Sequence, residues 1–113
     1  GPYTFILNAK RSVPNRLVHP KRRSIGIRIP DTTLVQELLA ELGEPIMSSS
    51  LILPSADIAM GDPDQIREKL EHDVDLVIDA GITGNQASTV IDWHGDELKI
   101  VRLGAGDVSF LQD

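Results

Sequence analysis

Short runs of apolar residues, separated by turn residues, predict a domain in which strands and helices alternate. The run Tyr3 to Leu7 is rich in aromatic and β-branched residues, which is typical of a strand. In the segment from Ser24 to Ile29 every second residue is isoleucine. This strict alternation predicts a second strand in which Ser24, Gly26 and Arg28 share the opposite face.

Two helices are predicted further along the chain. The first carries apolar residues at helical spacing, has Asp31 or Thr32 as its cap, and is ended by Gly43. The second begins at Asp62, with proline at the first helical position and glutamine at the third, and ends near Glu71.

Four more segments have the composition of short strands: 46–53, which runs into a loop, 74–78, 88–93 and 98–103. His94-Gly95-Asp96 predicts a hairpin turn between the last two. We therefore expect an α/β domain with a mixed sheet.

The charge of the chain is uneven. The 113 residues carry a formal net charge of −6, so the surface as a whole does not attract nucleic acid or anionic lipid. Seven basic residues nevertheless fall in the first quarter: Lys10, Arg11, Arg16, Lys21, Arg22, Arg23 and Arg28. A basic region on an acidic body favours a local site for an anion.

Several kinds of chemistry have no residues to carry them. The chain has no cysteine, which removes disulfides, thiol nucleophiles and thiolate zinc sites and fits a reducing cytosol. The three histidines lack metal-ligand spacing, and no residue is assigned as catalytic. No apolar run is long enough to span a membrane, so we expect a cytoplasmic protein without a membrane partner.

The first residues are unusual, because Gly1-Pro2 leads directly into an apolar strand with no polar segment before it. We expect residues 1–113 to be the C-terminal portion of a longer single domain whose N-terminal portion is absent. The alternative is that Gly1-Pro2 is a remnant of a protease site.

Serine and arginine side chains lie on the predicted strands. Ser24 and Arg28 would be separated by about 13 Å along their strand. Ser48 and Ser50 would share a face if 46–52 is extended, Ser88 would point with Val90 and Asp92, and Arg102 with Ile100 and Leu98. A half-buried arginine needs an anionic partner, which is either a ligand or one of the 17 acidic side chains.

Five segments, taken in order, resemble the YrdC/YciO family over nearly the whole chain. They are Gly1-Pro2-Tyr3-Thr4, the stretch from Ser24 to Pro30, Gly43-Glu44-Pro45 before Ser48-Ser49-Ser50, the stretch from Val74 to Gly81, and Ser88 to Asp92 followed by Arg102-Leu103-Gly104. The resemblance implies a YrdC-like twisted mixed sheet with flanking helices, present here as a partial domain.

Enzymes of this family make threonylcarbamoyl-AMP from threonine, bicarbonate and ATP with magnesium, and release pyrophosphate. Their product serves a tRNA modification. The resemblance implies a nucleotidyltransferase of this type, with Ser24, Ser50 and Arg102 at the ATP and with Arg28, Ser48 and Ser88 at the threonine. Arg28 would hold the threonine carboxylate, for which a guanidinium is well suited.

Two departures from the synthase pattern imply a relative of altered activity, and the first of them favours the YciO branch. The Ser-x-Asn pattern of the synthases reads Ser50-Leu51-Ile52, and the Lys-x-Arg phosphate motif would lie before Gly1. The alternative function is a double-stranded RNA or tRNA-binding module in which Lys21, Arg22 and Arg23 contact the RNA. The third reading is a structural α/β domain without activity.

Overall fold

The computed structural model describes residues 1–84 and 86–111. The chain divides into two compact units. The first contains residues 1–31 together with the described residues from 88 onward, and the second contains residues 32–87. Among the described residues no helix has the length and apolar character needed to cross a lipid bilayer.

The first unit is built on a four-stranded sheet in the order β2-β1-β3-β4. The strands are β1 (Tyr3–Asn8), β2 (Ser24–Ile27), β3 (Thr89–Asp92) and β4 (Lys99–Arg102). β1 is parallel to β3, and the other two pairs are antiparallel. The prediction of a mixed sheet is therefore confirmed, as is the hairpin turn between β3 and β4.

The sheet separates apolar residues from polar ones. Tyr3 and Phe5 of β1 lie beside Thr89 and Ile91 of β3, and both of these β3 residues are completely buried. Val108, from the segment after β4, is also buried. Ile91 and Val108 thus lie on the side of the sheet that carries the odd-numbered residues of β1, whereas the third buried apolar residue, Val18, comes from the loop between β1 and β2.

A side chain at Gly106 would collide with the aromatic ring of Tyr3. A Cβ added there would lie 2.5 Å from Tyr3 Cε1 and 2.7 Å from Tyr3 Cδ1. The ring is held in place, because its hydroxyl donates to the Asp107 carbonyl at 2.8 Å and its edge and face contact Phe110 and Phe5. Gly106 therefore lets the segment after β4 close over β1.

We expect Gly106→Ala to lower the free energy of unfolding by about 1–3 kcal/mol, because a well-packed ring must move. Urea denaturation measures the loss. Gly95→Ala is the matched control, since a Cβ at Gly95 meets no atom within 4 Å. If both variants lose the same stability, the packing of Tyr3 on Gly106 does not explain the effect.

The second unit contains the two predicted helices. Helix α1 (Thr33–Leu42) has Thr32 at its N-terminus and ends at Gly43, whose φ of 74° is left-handed and is tolerated by glycine. Helix α2 (Pro63–Leu70) is capped by Asp62, whose carboxylate accepts from the Asp64 amide at 3.0 Å. The predicted starts and ends of both helices are confirmed.

The predictions of strands at 46–53 and 74–78 are wrong. Neither segment pairs with another strand among the described residues, and both bear exposed apolar side chains such as Met47 and Leu76. In the first segment the Ile52 amide bonds the Ser50 carbonyl, two residues back, which is a tight turn. Both strand predictions rest on apolar composition, but a strand also requires hydrogen-bond partners for its backbone groups.

Strand β2 is shorter than predicted, since it ends at Ile27 and not at Ile29.

Candidate functional site

One face of the sheet carries the polar residues, and we call it the polar face. It is formed by the even-numbered residues of β1 and by the residues paired with them. Directly opposed residues on neighbouring strands point to the same side. The register aligns Ile6 with Gly26, Asn8 with Ser24, Thr4 with Val90, and Val90 with Arg102. Ser24 and Arg102, from opposite edges of the sheet, therefore share this face.

A β-bulge turns Arg102 to the polar face. Val90 pairs with Arg102 while the next residue, Ile91, pairs with Ile100, so Val101 is an extra residue in β4. The bulge puts Arg102 and Ile100 on opposite faces. The expectation that these two side chains point the same way is therefore wrong, because simple alternation does not foresee an inserted residue.

Thr4, Ser88 and Arg102 form a hydrogen-bonded cluster on the polar face. The hydroxyl oxygens of Thr4 and Ser88 are 2.7 Å apart. Arg102 donates from Nε and Nη2 to the Ser88 carbonyl at 3.0 and 2.8 Å, and from Nη2 to Ser88 Oγ at 3.2 Å. Ser88 and Arg102, to which the family resemblance gives different ligands, are thus in direct contact.

Arg28 lies one residue beyond the end of β2. Its Nε donates to the Gly1 carbonyl at 3.0 Å, which leaves both terminal nitrogens of the guanidinium available. The terminal amine of Gly1 in turn bonds the Ile29 carbonyl. Neither Arg28 nor Arg102 forms an ion pair with an acidic side chain in residues 1–84 and 86–111. The salt-bridge alternative for these arginines therefore finds no support in the described part of the chain.

Ser24 lies at the other end of β2, where it is only 6% exposed. It lines an open concavity of about 520 Å³ whose floor is formed by Thr4, Ile6, Gly26 and Val90 on the polar face. A Cβ at Gly26 would meet only the Thr4 methyl group, at 3.7 Å. Serine and glycine on this strand thus leave space above the sheet for a ligand.

Ser48 and Ser50 belong to the second unit. Both are exposed, and both lie in the irregular segment 46–53. Their placement on one face of a strand is not observed, because the segment is not paired as a strand. Their assignment to threonine and to ATP, like the roles of Ser24, Arg28, Ser88 and Arg102, stays a prediction.

The basic loop between β1 and β2 consists of residues 9–23 and contains one 3-10 turn, Asn15–Leu17. Lys21 and Arg22 are exposed. Arg23 has a φ of 54°, and its Nη1 donates to Asn15 Oδ1 at 3.0 Å. All three residues predicted to contact RNA are therefore exposed to solvent, and Arg23 is in addition hydrogen-bonded within the loop.

Two features of the polar face were not found from the sequence. Thr4 was read only as part of an apolar strand, although its position between Tyr3 and Phe5 is the alternation that signals an outward polar residue. Asp92, only 8% exposed, accepts from the backbone and from the ring Nδ1 of His94. For His94 the sequence indicates only a place in the hairpin turn, without metal-ligand spacing.

The hydrogen bonds from His94 lower the pKa of Asp92 below its ordinary value of 3.8. The folded state binds this proton less tightly than the unfolded state does. The ionised carboxylate therefore stabilises the folded state at pH values above the ordinary pKa of 3.8. That contribution is lost as the pH falls through the lowered pKa.

We expect Asp92→Asn to show a weaker loss of stability than the wild type between about pH 5 and about pH 2. Chemical denaturation at a series of pH values measures the difference. Asp57→Asn, which removes one exposed carboxylate, is the control for the loss of a negative charge elsewhere. An Asp92→Asn profile parallel to that of the wild type would contradict the role of the His94 bonds.

The described fold matches a solved structure of the same class. The crystal structure of Escherichia coli YciO superposes with a TM-score of 0.91 at 46% sequence identity. The match covers 96% of this chain and 53% of that one. The chain is therefore an α/β domain of the kind seen in YciO.

Comparison with curated sequences gives the same result. The Escherichia coli strain K12 protein named "Uncharacterized protein YciO" is 46% identical over 108 residues, which are 96% of this chain and 52% of that protein. A Haemophilus influenzae protein is 44% identical over 110 residues. The chain spans about half the length of these curated relatives.

A family model described as "Telomere recombination", for the Sua5, YciO and YrdC proteins, matches residues 1–104. The chain belongs to this family. A more distant relative is the threonylcarbamoyl-AMP synthase of Vibrio vulnificus, which is 30% identical over 78 residues, 69% of this chain and 41% of that protein. The resemblance noted in the sequence is confirmed, with the YciO proteins matching at higher identity than this synthase.

Proposed function

We propose that the polar face binds ATP and threonine side by side, and that the protein of which this chain forms part makes threonylcarbamoyl-AMP or a closely related carbamoyl adenylate. The observation that carries the proposal is the contact between Ser88 and Arg102. In this proposal, as the family resemblance implies, the first residue binds threonine and the second binds ATP. Two ligands held by touching side chains would be close enough to react with each other.

The threonine lies, in this proposal, at the Arg28 end of the polar face. The free terminal nitrogens of Arg28 form a fork that suits a carboxylate. The Ser88 hydroxyl, already paired with the Thr4 hydroxyl at 2.7 Å, can accept from the substrate amine or donate to its hydroxyl.

The nucleotide occupies the remainder of the polar face, with Ser24 and Arg102 as its ligands. Magnesium arrives with ATP, bound by the phosphate oxygens that it prefers. Within the described residues no group of three or more histidine, aspartate or glutamate side chains is placed to hold such an ion.

The chemistry needs no nucleophile from the protein. The threonine amine and bicarbonate form a carbamate with loss of water, and a carbamate oxygen attacks the α-phosphorus of ATP as the bond to pyrophosphate breaks. The work of the protein is to align these groups and to stabilise the negative charge that develops on the phosphate. Arg102, on the polar face and without an ion pair in the described residues, is suited to the second task.

Pyrophosphate release from ATP tests the proposal. The complete protein should release pyrophosphate only when both threonine and bicarbonate are present, and Arg102→Gln should reduce that release by about 100-fold. Arg67→Gln, on helix α2, is the control for an arginine lost elsewhere. Release that does not depend on threonine would overturn the amino-acid substrate, and no release with any amino acid would overturn the adenylate chemistry.

The exposed charge of the basic loop favours a second candidate, binding of double-stranded RNA. Lys10, Arg11, Lys21 and Arg22 are all exposed in residues 9–23. Contacts with phosphates would give an affinity that falls steeply with salt. Replacing Lys21, Arg22 and Arg23 by glutamine should abolish duplex binding and flatten the salt dependence; unchanged binding would exclude this loop as the RNA contact.

A further inference from the structure

The end of the polar face near Ser24 contains a group of basic side chains that neither the family motifs nor the proposed roles include. Arg16, His19 and Arg22, all from the basic loop, line the same concavity as Ser24. The side chains of Arg16 and Arg22 form no hydrogen bond or ion pair with the described residues. No aspartate or glutamate lines this concavity within the described part of the chain.

Ser24 gives an independent indication of a ligand at this place. It is 94% buried by its neighbours, with a relative exposure of 6%, yet its hydroxyl bonds no other described residue. No side-chain oxygen or nitrogen in the described chain is both fully enclosed and without a partner, so the small exposed part of Ser24 includes its Oγ. This hydroxyl therefore opens into the concavity and is available to a bound group.

Three backbone hydrogen bonds hold the C-terminal part of the basic loop, residues 19–23, in place. The Ala9 amide bonds the Arg23 carbonyl, the His19 amide bonds the Ser24 carbonyl, and the Arg23 amide bonds the His19 carbonyl, each at 2.9 Å. These bonds fix the turn 19–23 against the start of β2. Arg22 is thus presented to the concavity by an ordered backbone.

His19 is kept in one tautomer by the same turn. Its Nδ1 accepts from the amides of Lys21 and Arg22, at 3.3 and 3.2 Å. A nitrogen that accepts cannot carry the ring proton, so in the neutral ring the proton lies on Nε2, which is a donor. The concavity therefore has donors of three kinds: two guanidinium groups, an imidazole N–H and a serine hydroxyl.

One acidic side chain interacts electrostatically with this end of the polar face: the carboxylate of Asp92 attracts the guanidinium of Arg22. Its carboxylate is already bound by His94 and is not within ion-pair distance of Arg22. Two arginines that face one concavity repel each other, and a multiply charged anion between them would relieve that repulsion.

We propose that Arg16, Arg22, His19 and Ser24 form a subsite for the pyrophosphate portion, the β- and γ-phosphates, of a nucleoside triphosphate. The identity of the nucleotide rests on the proposed function, whereas the affinity for phosphate does not. Ser24 and Arg28 are separated by about 13 Å along the strand direction. With the amino-acid carboxylate at Arg28, the leaving pyrophosphate lies at Ser24, at the other end of the strand.

Titration calorimetry with inorganic pyrophosphate tests the subsite on the complete protein. Arg16→Gln combined with Arg22→Gln should raise the Kd for pyrophosphate by about 10- to 100-fold, and Ser24→Ala by about fivefold. Lys10→Gln combined with Arg11→Gln is the matched control. It removes the same charge from the same loop but from side chains that do not line the concavity, and it should change the Kd by less than about twofold.

Several results would overturn the subsite. These are the absence of pyrophosphate binding by the wild type, equal losses in the two double variants, or a loss of duplex RNA binding in the Arg16/Arg22 variant while pyrophosphate binding is unchanged. Arg28→Ala should leave pyrophosphate binding intact, and an equal loss there would contradict the assigned position. Thermal unfolding should be unchanged in both double variants, since all four side chains are exposed.

The two proposals can fail separately. Pyrophosphate binding that follows the expected pattern, in a protein without threonine-dependent release, would leave the subsite standing and remove the proposed reaction. Threonine-dependent release with an unchanged KM for ATP in the Arg16/Arg22 variant would leave the reaction standing and remove the subsite.

Discussion

Thr89→Val is expected to lower the free energy of unfolding by about 2–4 kcal/mol, although the two side chains have nearly the same shape. Thr89 is completely buried, and its hydroxyl donates to the Gly106 carbonyl at 2.8 Å and accepts from the Gly104 amide at 2.9 Å. Valine would leave the buried Gly106 carbonyl and the partly buried Gly104 amide without partners, and an unpaired buried group costs about 1–3 kcal/mol.

The matched variant for this experiment is Thr89→Ser, which keeps the hydroxyl and removes only a methyl group. It should cost about 1 kcal/mol. Urea denaturation of both variants separates the hydrogen bonds from the packing. Equal destabilisation by valine and serine would contradict the account, because it would mean that the hydroxyl does not hold the segment after β4.

The loss of the Thr89 hydroxyl should also disturb the contact between Ser88 and Arg102 on the polar face. Thr89 follows Ser88, and its hydroxyl holds the backbone two residues beyond Arg102. A protein that folds with Thr89→Val is therefore expected to have a disordered Ser88–Arg102 contact. Stability and ligand binding would then decline together, although Thr89 itself points to the other face of the sheet.

Arg28→Ala is expected to weaken threonine binding by about 10- to 100-fold, which corresponds to the loss of charged hydrogen bonds worth about 1.5–3 kcal/mol. ATP binding should change far less, because Arg28 is assigned to the carboxylate of the amino acid and not to the nucleotide. Calorimetric titration with each ligand separately gives the two numbers.

Two controls make this result specific. Arg28→Lys keeps the charge but loses the planar fork, so it should bind threonine with intermediate affinity. Arg23→Ala removes an arginine whose Nη1 is occupied by Asn15 and should leave threonine binding unchanged. If Arg28→Ala weakens threonine and ATP binding equally, the assignment of roles on the polar face is wrong.

The sequence predicted those elements whose signals are local. Helix α2 begins at Asp62-Pro63, where a cap and a proline specify the start, and helix α1 ends at Gly43, where only glycine adopts the left-handed turn easily. The alternation of isoleucines from Ser24 onward likewise gave the correct face for Ser24 and Gly26. These are properties of neighbouring residues, which a single sequence contains.

Pairing between distant segments could not be predicted in the same way. The segments 46–53 and 74–78 have the composition of strands, but the described chain gives them no partner. The bulge at Val101 reverses the expected direction of Ile100 relative to Arg102, and it arises from the match between β3 and β4 and not from β4 alone. The Thr4–Ser88 contact joins residues 84 positions apart, which alternation cannot foresee.

The central claim is that one face of the sheet binds both ligands, and amide chemical shifts measured during titration of the isotope-labelled protein test it most directly. Threonine should shift the amides of Thr4, Arg28 and Ser88, and ATP should shift those of Ser24 and Gly26, in both cases with saturation. Shifts confined to the opposite face, at Tyr3, Ile91 and Gly106, or no saturable shift with either ligand, would contradict the account.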